Sequence, residues 1–292
     1  EKNLAKGEEF GLLALEIESD NSYIPFFIGQ FIYRKQKKRL EAGRMFLEAK
    51  NRPDMNIENP YRVGEDIWIK TVHQAIQREG LHWFNYGTDA IDNKKYDEAI
   101  EHFEIASELS PDLAGKCYAA ISLIYFNNGE PDKGLKFIDV ALKKTSDPKI
   151  ILNLKINKAR YLRKNKQIEE AFSVFESIPK EDINLEAKNQ LFLLHTDNND
   201  CNSAIELGEE LFIAMEEDPT TSMKVLSSLA FNIAACFNQK ADETYNGIID
   251  YFSIDKEKTN ELTQLNLDKA ETAKDYYSSA KDYYRLSLDY DE

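Results

Sequence analysis

Apolar residues recur at steps of three and four along most of this 292-residue chain, and short polar turns interrupt them. That period places them on one face of a helix, so the pattern predicts helices in succession rather than strands. The clearest stretch runs from Leu81 to Pro111. Trp83, Tyr86 and Gly87 fall on a first helix, Tyr96, Ala99, Phe103 and Ala106 on a second, and Pro111 ends it. Gly87 and Ala99 are small enough for two antiparallel helices to approach closely, and Trp83, Tyr96 and Phe103 fill the space between them. A hairpin of this size cannot bury its own apolar face, so neighbours must stack on it.

The same frame extends in both directions. Residues 1–21 read as the second helix of an incomplete unit. Phe26, Tyr33, Ala42, Phe46 and Ala49 carry the next one, over about 22–53, with Ser22 able to cap it and Pro25 to set its first turn. After a loop at 54–64, Ile67, Ile69, Val72 and Ile76 lead into Trp83. They predict a helical extension over 65–79, with Gly80 a place for a kink. Further units follow at about 80–113, 115–148, 149–180 and 185–219. Their small close-contact residues Ala99, Gly134, Ala171 and Ala204 stand 35, 37 and 33 residues apart.

The last stretch, 221–292, differs. Ala230, Ile233, Phe237, Ala241, Tyr245 and Ile248 run on without a turn, and Leu262, Leu265, Ala270, Ala273, Tyr277, Ala280 and Tyr284 form a second such run. One reading is a hairpin of two long helices joined around Ser253–Thr259, each on the order of 40 Å. Its seam sets Phe237, Ala241, Tyr245 and Ile248 against Leu262, Leu265 and Ala270. The other reading breaks the first helix near Asn238-Gln239, leaving an ordinary unit and one cap helix. In both, the tyrosine-rich final helix closes the end of the stack.

The offsets of Trp83, Gly87, Ala99, Phe103 and Pro111 resemble those of the tetratricopeptide repeat family, whose unit is a 34-residue helix-turn-helix. Ala14-Leu15-Glu16-Ile17, followed by Ser19-Asp20, resembles that family's closing segment, with serine where proline is usual. The resemblance implies an all-α fold, a right-handed α-solenoid of antiparallel helix hairpins. Here 1–220 would form the solenoid and 221–292 an extended C-terminal helical hairpin capping it. It also implies that the first helices line a concave groove for an extended peptide or partner protein. The family's groove positions fall here on Phe27, Phe31 and Arg34, on Phe84 and Thr88, on Ala119, Leu123 and Phe126, and on Ile156, Arg160 and Arg163. An apolar strip ending in arginines suits an amphipathic partner with some acidic residues. A frame error of one residue would turn these side chains by about 100°, into the core. Thr88 and Leu123 stand where the chaperone-binding branch wants asparagine, which argues against chaperone tails as ligands. The implied function is a non-enzymatic protein–protein interaction scaffold. A peptide-sensing domain of a bacterial regulator, or a helical accessory domain of a larger enzyme, shares the architecture.

Composition narrows the partners. A formal net charge of −15 and a pI near 4.9 argue against nucleic acid, which needs a basic footprint. Against that background Arg34, Lys35, Lys37, Lys38 and Arg39 form the one dense basic cluster, read either as a solvated helix end or as a docking patch for an acidic partner. The longest apolar run, Tyr23 to Tyr33, is too short to span a bilayer, and no basic leader precedes it. A start at Glu1 suits a fragment or processed form, in a cytoplasmic or a periplasmic setting. Cys117, Cys201 and Cys236 read as small buried hydrophobes. His73, His82, His102 and His195 form no metal motif, and with 12 glycines there is little material for a phosphate cradle. No catalytic residue, metal or cofactor is expected.

Overall fold

The computed structural model describes residues 2–58, 61–63, 66–252 and 259–291, the side chains of 2, 61–63, 66–69, 248–252 and 259–266 excepted. The chain divides into two compact units, Glu1–Leu154 and Lys155–Glu292.

In the first unit α1 (Lys2–Ile17) is followed by α2 (Tyr23–Phe27), which widens into a π-helical segment, Ile28–Tyr33, before α3 (Arg39–Lys50). Then come α4 (Val72–Asp92) with α5 (Tyr96–Leu109), and α6 (Ala114–Asn127) with α7 (Pro131–Lys144). Helix α8 (Pro148–Lys164) carries the division. The second unit continues with α9 (Ile168–Glu176), α10 (Leu185–Asp197), α11 (Cys201–Glu216), α12 (Met223–Phe252) and α13 (Thr259–Asp289).

Among the described residues five turns join a first helix to its second, and all five are built alike. Each holds one left-handed residue two places before the second helix: Lys37, Lys94, Gly129, Lys166 and Asn199, with φ of 62°, 59°, 82°, 61° and 56°. The next amide donates to the carbonyl five residues back, Lys38 to Tyr33, Lys95 to Ala90, Glu130 to Tyr125, Gln167 to Leu162 and Asp200 to His195, at 2.8–2.9 Å. This bond closes the first helix and aims the chain back along it. Five residues after each left-handed position comes a buried small residue: Ala42, Ala99, Gly134, Ala171 and Ala204. There the paired helices can approach, because no long side chain stands between them.

Apolar packing follows from the hairpins. Phe26, Phe46, Ile76, Trp83, Phe103, Ile105 and Ile121 belong to one buried cluster in the first unit. In the second, Phe192, Leu211, Phe212, Leu226, Ile233, Phe237 and Ala280 form another. This second cluster takes in residues of α10, α11, α12 and α13.

The predicted extension over 65–79 is corrected in its first part. Tyr61–Val63 and Asp66–Ile69 form a two-stranded antiparallel ribbon, β1 and β2, with Arg62 opposite Ile67. Ile67 and Ile69 are two apart, the strand period, and Gly64 falls between the strands in sequence. Helix α4 starts at Val72, where the Thr71 side chain accepts from the Gln74 amide at 3.2 Å. It runs unbroken through Gly80, whose missing side chain admits Ser110: a β-carbon would stand 2.5 Å from that of Ser110. Tyr96 does not fill the hairpin. It opens α5 and is 37% exposed.

Helix α12 is continuous through 238–242 and has 30 residues, against 31 in α13. Phe237, Ala241, Ala273 and Ala280 are buried along the pair, and the Tyr277 hydroxyl donates to Asp242 Oδ1 at 2.6 Å. Tyr245 and Ala270, expected in the seam, are exposed. The side chains of Ile248, Leu262 and Leu265 and the connection 253–258 lie outside the described residues. Tyr283 of α13 and Tyr290 just after it reach back to α11, their rings 5.9 and 6.0 Å from Phe212. The Tyr283 hydroxyl, pushed up to about 12 by burial, donates to Glu209 at 3.4 Å.

Candidate functional site

The eleven residues expected in the groove fall into two sets, one in each unit. In the first unit Phe27 and Phe31 are half-buried, their rings 5.5 Å apart, and Phe27 leans on Tyr23 and Phe26. Phe84 is half-buried, edge-on to Phe103 at 5.3 Å, and Thr88 is exposed with its hydroxyl on the Phe84 carbonyl. On α6, Ala119 and Phe126 are half-buried and Leu123 is 40% exposed.

In the second unit Ile156 is buried, which assigns it to the core. Helix α8 is covered on more than one face, since Leu154, Ile156, Ala159, Tyr161 and Leu162 are all buried. Arg160 lies over the Tyr161 ring at 5.5 Å, and Arg163 pairs with Asp197 at 2.7 Å.

The basic cluster is more structured than a solvated helix end. After the π segment, where the Arg34 amide bonds the Gly29 carbonyl five residues back, the Arg34 side chain turns to α4. Its Nη1 donates to Gln30 at 2.6 Å and to Glu79 Oε1 at 3.1 Å, and Nη2 reaches the Tyr86 hydroxyl at 3.5 Å. Glu79 Oε2 is also 3.1 Å from Nη1 but outside hydrogen-bonding geometry. Burial raises the Glu79 carboxyl above its ordinary range and outweighs the pull of the guanidinium. Lys38 pairs with Glu8 at 3.1 Å. Arg39 lies over the ring of Tyr86 at 4.5 Å.

Between the turn of this first hairpin and the α4–α5 hairpin is a crevice of about 770 Å³, lined by Arg34, Lys37–Glu41, Tyr86, Glu98 and His102. Sequence reasoning placed Tyr86 on the first helix of its hairpin and found no metal motif around His102. The signal for their meeting was the repeat itself, which sets the end of one hairpin beside the next.

Among the described residues no group of His, Cys, Asp and Glu could hold a metal ion, and no helix is long and apolar enough to cross a membrane. All three cysteines are free and buried.

No protein-family model and no curated protein matches the chain. Solved structures do. BtubC from P. vanneervenii matches with 15% identity over 92% of this chain and 89% of its own, at a TM-score of 0.46. YrrB, described as a TPR protein with an unusual peptide-binding site, matches with 16% identity over 73% of this chain and 96% of its own, at 0.42. The C-terminal part of a TPR repeat-containing protein from Cytophaga hutchinsonii matches with 13% identity over 99% and 94%, at 0.36. With its consecutive hairpins, one recurring turn, and a small buried residue at one place in each second helix, the chain is an all-α protein of tetratricopeptide-like repeats.

Proposed function

We propose that this chain is a non-catalytic scaffold that holds an amphipathic segment of a partner protein along the open faces of its first helices. The observation that carries this reading lies on α4 and α6. Trp83, Gly87, Cys117, Ile121 and Ile124 are buried, whereas Phe84, Thr88, Leu123 and Phe126, a step round the same helices, stay wholly or partly open. A buried stripe beside a row of half-open apolar side chains suits a partner that completes the packing.

Affinity capture from the source cells with the full chain, beside its Phe84→Ala/Phe126→Ala double variant, tests the reading. Truncating two aromatic anchors costs a held partner about 2 kcal/mol or more, roughly thirty-fold in affinity, so its recovery falls sharply. Far-ultraviolet circular dichroism stays close to that of the wild type. An unchanged set of captured proteins sinks the proposal.

A further inference from the structure

The crevice beside the first turn holds two kinds of group whose chemistry the fold does not use. Arg39 lies over the Tyr86 ring, 4.5 Å from its centroid, yet makes no ion pair among the described residues, so its N–H donors are left for another group. Lys37 is fixed in the left-handed turn, exposed, and likewise without an ion pair among the described residues. The other cations of this wall, Arg34 and Lys38, are committed to Glu79 and Glu8.

At the floor is His102. It is 1% exposed, and neither ring nitrogen has a hydrogen-bond partner among the described residues. Glu98 Oε1 stands 3.6 Å from Nε2, beyond hydrogen-bond distance. Buried polar atoms of folded proteins are nearly always paired, and an orphan at the wall of a cavity points to a ligand group that pairs it. Burial also depresses the imidazole, which keeps it neutral with one N–H to give and one nitrogen to accept.

The lining is of mixed sign, because Glu41 and Glu98 share it. A small inorganic anion would meet these carboxylates as well as the cations. A peptide carries an anionic side chain together with backbone N–H groups, and so satisfies both. The volume, about 770 Å³, is that of a pocket for a ligand of a few residues. We infer that this crevice binds an acidic peptide segment, with a carboxylate on Arg39 and Lys37 and the peptide backbone against His102. The inference rests on the scaffold reading but adds a site apart from the Phe84–Phe126 row.

The test uses the full chain and a fluorescein-labelled peptide of alternating glutamate and serine, with its glutamine counterpart as control. The glutamate peptide binds about ten-fold more tightly than the glutamine one, and Arg39→Ala and Lys37→Ala each remove about that factor. Both side chains are exposed, so the variants keep the wild-type circular dichroism. Phe84→Ala leaves this affinity unchanged. With four histidines in the chain, the His102 imidazole can be followed by NMR, and it shifts on saturation while His195 does not. Equal binding of the two peptides, or wild-type binding by Arg39→Ala, overturns the inference. Inorganic phosphate reproducing the His102 shift would replace the peptide by a small anion and overturn it too. Should Phe84→Ala abolish acidic-peptide binding while Arg39→Ala does not, the crevice is wrong and the aromatic row stands.

Discussion

A β-carbon on Gly87 would stand 2.7 Å from the ring of Phe103, closer than two carbons can approach without something moving. Phe103 is buried and cannot swing aside. Replacing Gly87 by alanine therefore forces α4 and α5 apart, and the better helix propensity of alanine, about 1 kcal/mol, does not offset it. Urea denaturation of Gly87→Ala should show a net loss of about 1–3 kcal/mol. A stability equal to or above wild type would mean that the two helices are not this close.

The turns offer the opposite change. Lys94 and Lys166 occupy left-handed backbone that costs a residue with a side chain about 1 kcal/mol or more, where Gly129 pays nothing. Glycine loses part of this gain to its freedom in the unfolded chain. Lys94→Gly and Lys166→Gly should each raise stability by a few tenths to about 1 kcal/mol, and Gly129→Ala should lower it by a similar amount. Thermal melts of the three variants decide the point. If both lysine variants melt below the wild type, the turn is not left-handed.

His102 makes a pH prediction. Its imidazole is depressed first by burial and further by Arg39, with Glu98 and Glu101 opposing. A folded value below the unfolded one, about 6.5, means that the unfolded chain takes up the proton more readily. Its contribution is thus complete above about pH 6.5 and lost as pH falls through the folded value. Urea midpoints of wild type and His102→Gln at pH 7.5, 6.5 and 5.5 should diverge, the variant losing less on acidification. Parallel curves would show that His102 is not held neutral by the fold.

Arg34 and Glu79 give a slope of the opposite sense. With the guanidinium removed, in Arg34→Met, a buried carboxylate is left without its cation, which costs about 2 kcal/mol at neutral pH for a pair partly open to water. Glu79 is already raised by burial, and losing Arg34 raises it further. A raised carboxyl gives its stability below the unfolded value and loses it as pH rises through the folded one. The deficit of Arg34→Met should accordingly be smaller at pH 5 than at pH 8. A deficit independent of pH would mean that Glu79 finds another cation.

Along the terminal pair, Ala241, Ala273 and Ala280 are among the small buried residues described. Enlarging one, as in Ala273→Leu, should push α12 and α13 apart and cost about 1–3 kcal/mol in a urea melt. If the melt does not change, the helices are not packed at this position.

Much of the fold could be read from residue spacing. The steps between Ala99, Gly134, Ala171 and Ala204 repeat exactly those between the left-handed residues Lys94, Gly129, Lys166 and Asn199, because each turn is tied to the small residue that follows it. Spacing could show this because the hairpin is a local structure: the turn, the helix ends and the close contact all lie within a few residues of one another. The same locality misled at Asp66–Ile69, where two isoleucines fit a helix and a strand alike, and the backbone pairing of Arg62 with Ile67 settled the matter.

Side-chain exposure was another matter. One periodicity placed Phe84, Phe126 and Ile156 on equivalent faces, yet the first two are half open and the third is buried. What covers a face depends on neighbouring helices that no helical period contains. The crevice shows this most plainly, for Arg39 and His102 lie 63 residues apart and line one cavity only because successive hairpins stack. The amino-acid sequence by itself determined helices, turns and the repeat, since these rest on contacts between near neighbours in the chain. Which charges are spent in pairs, which imidazole is left without a partner and which apolar side chains meet water were decided by the tertiary structure, because burial and pairing depend on distances between groups remote in sequence.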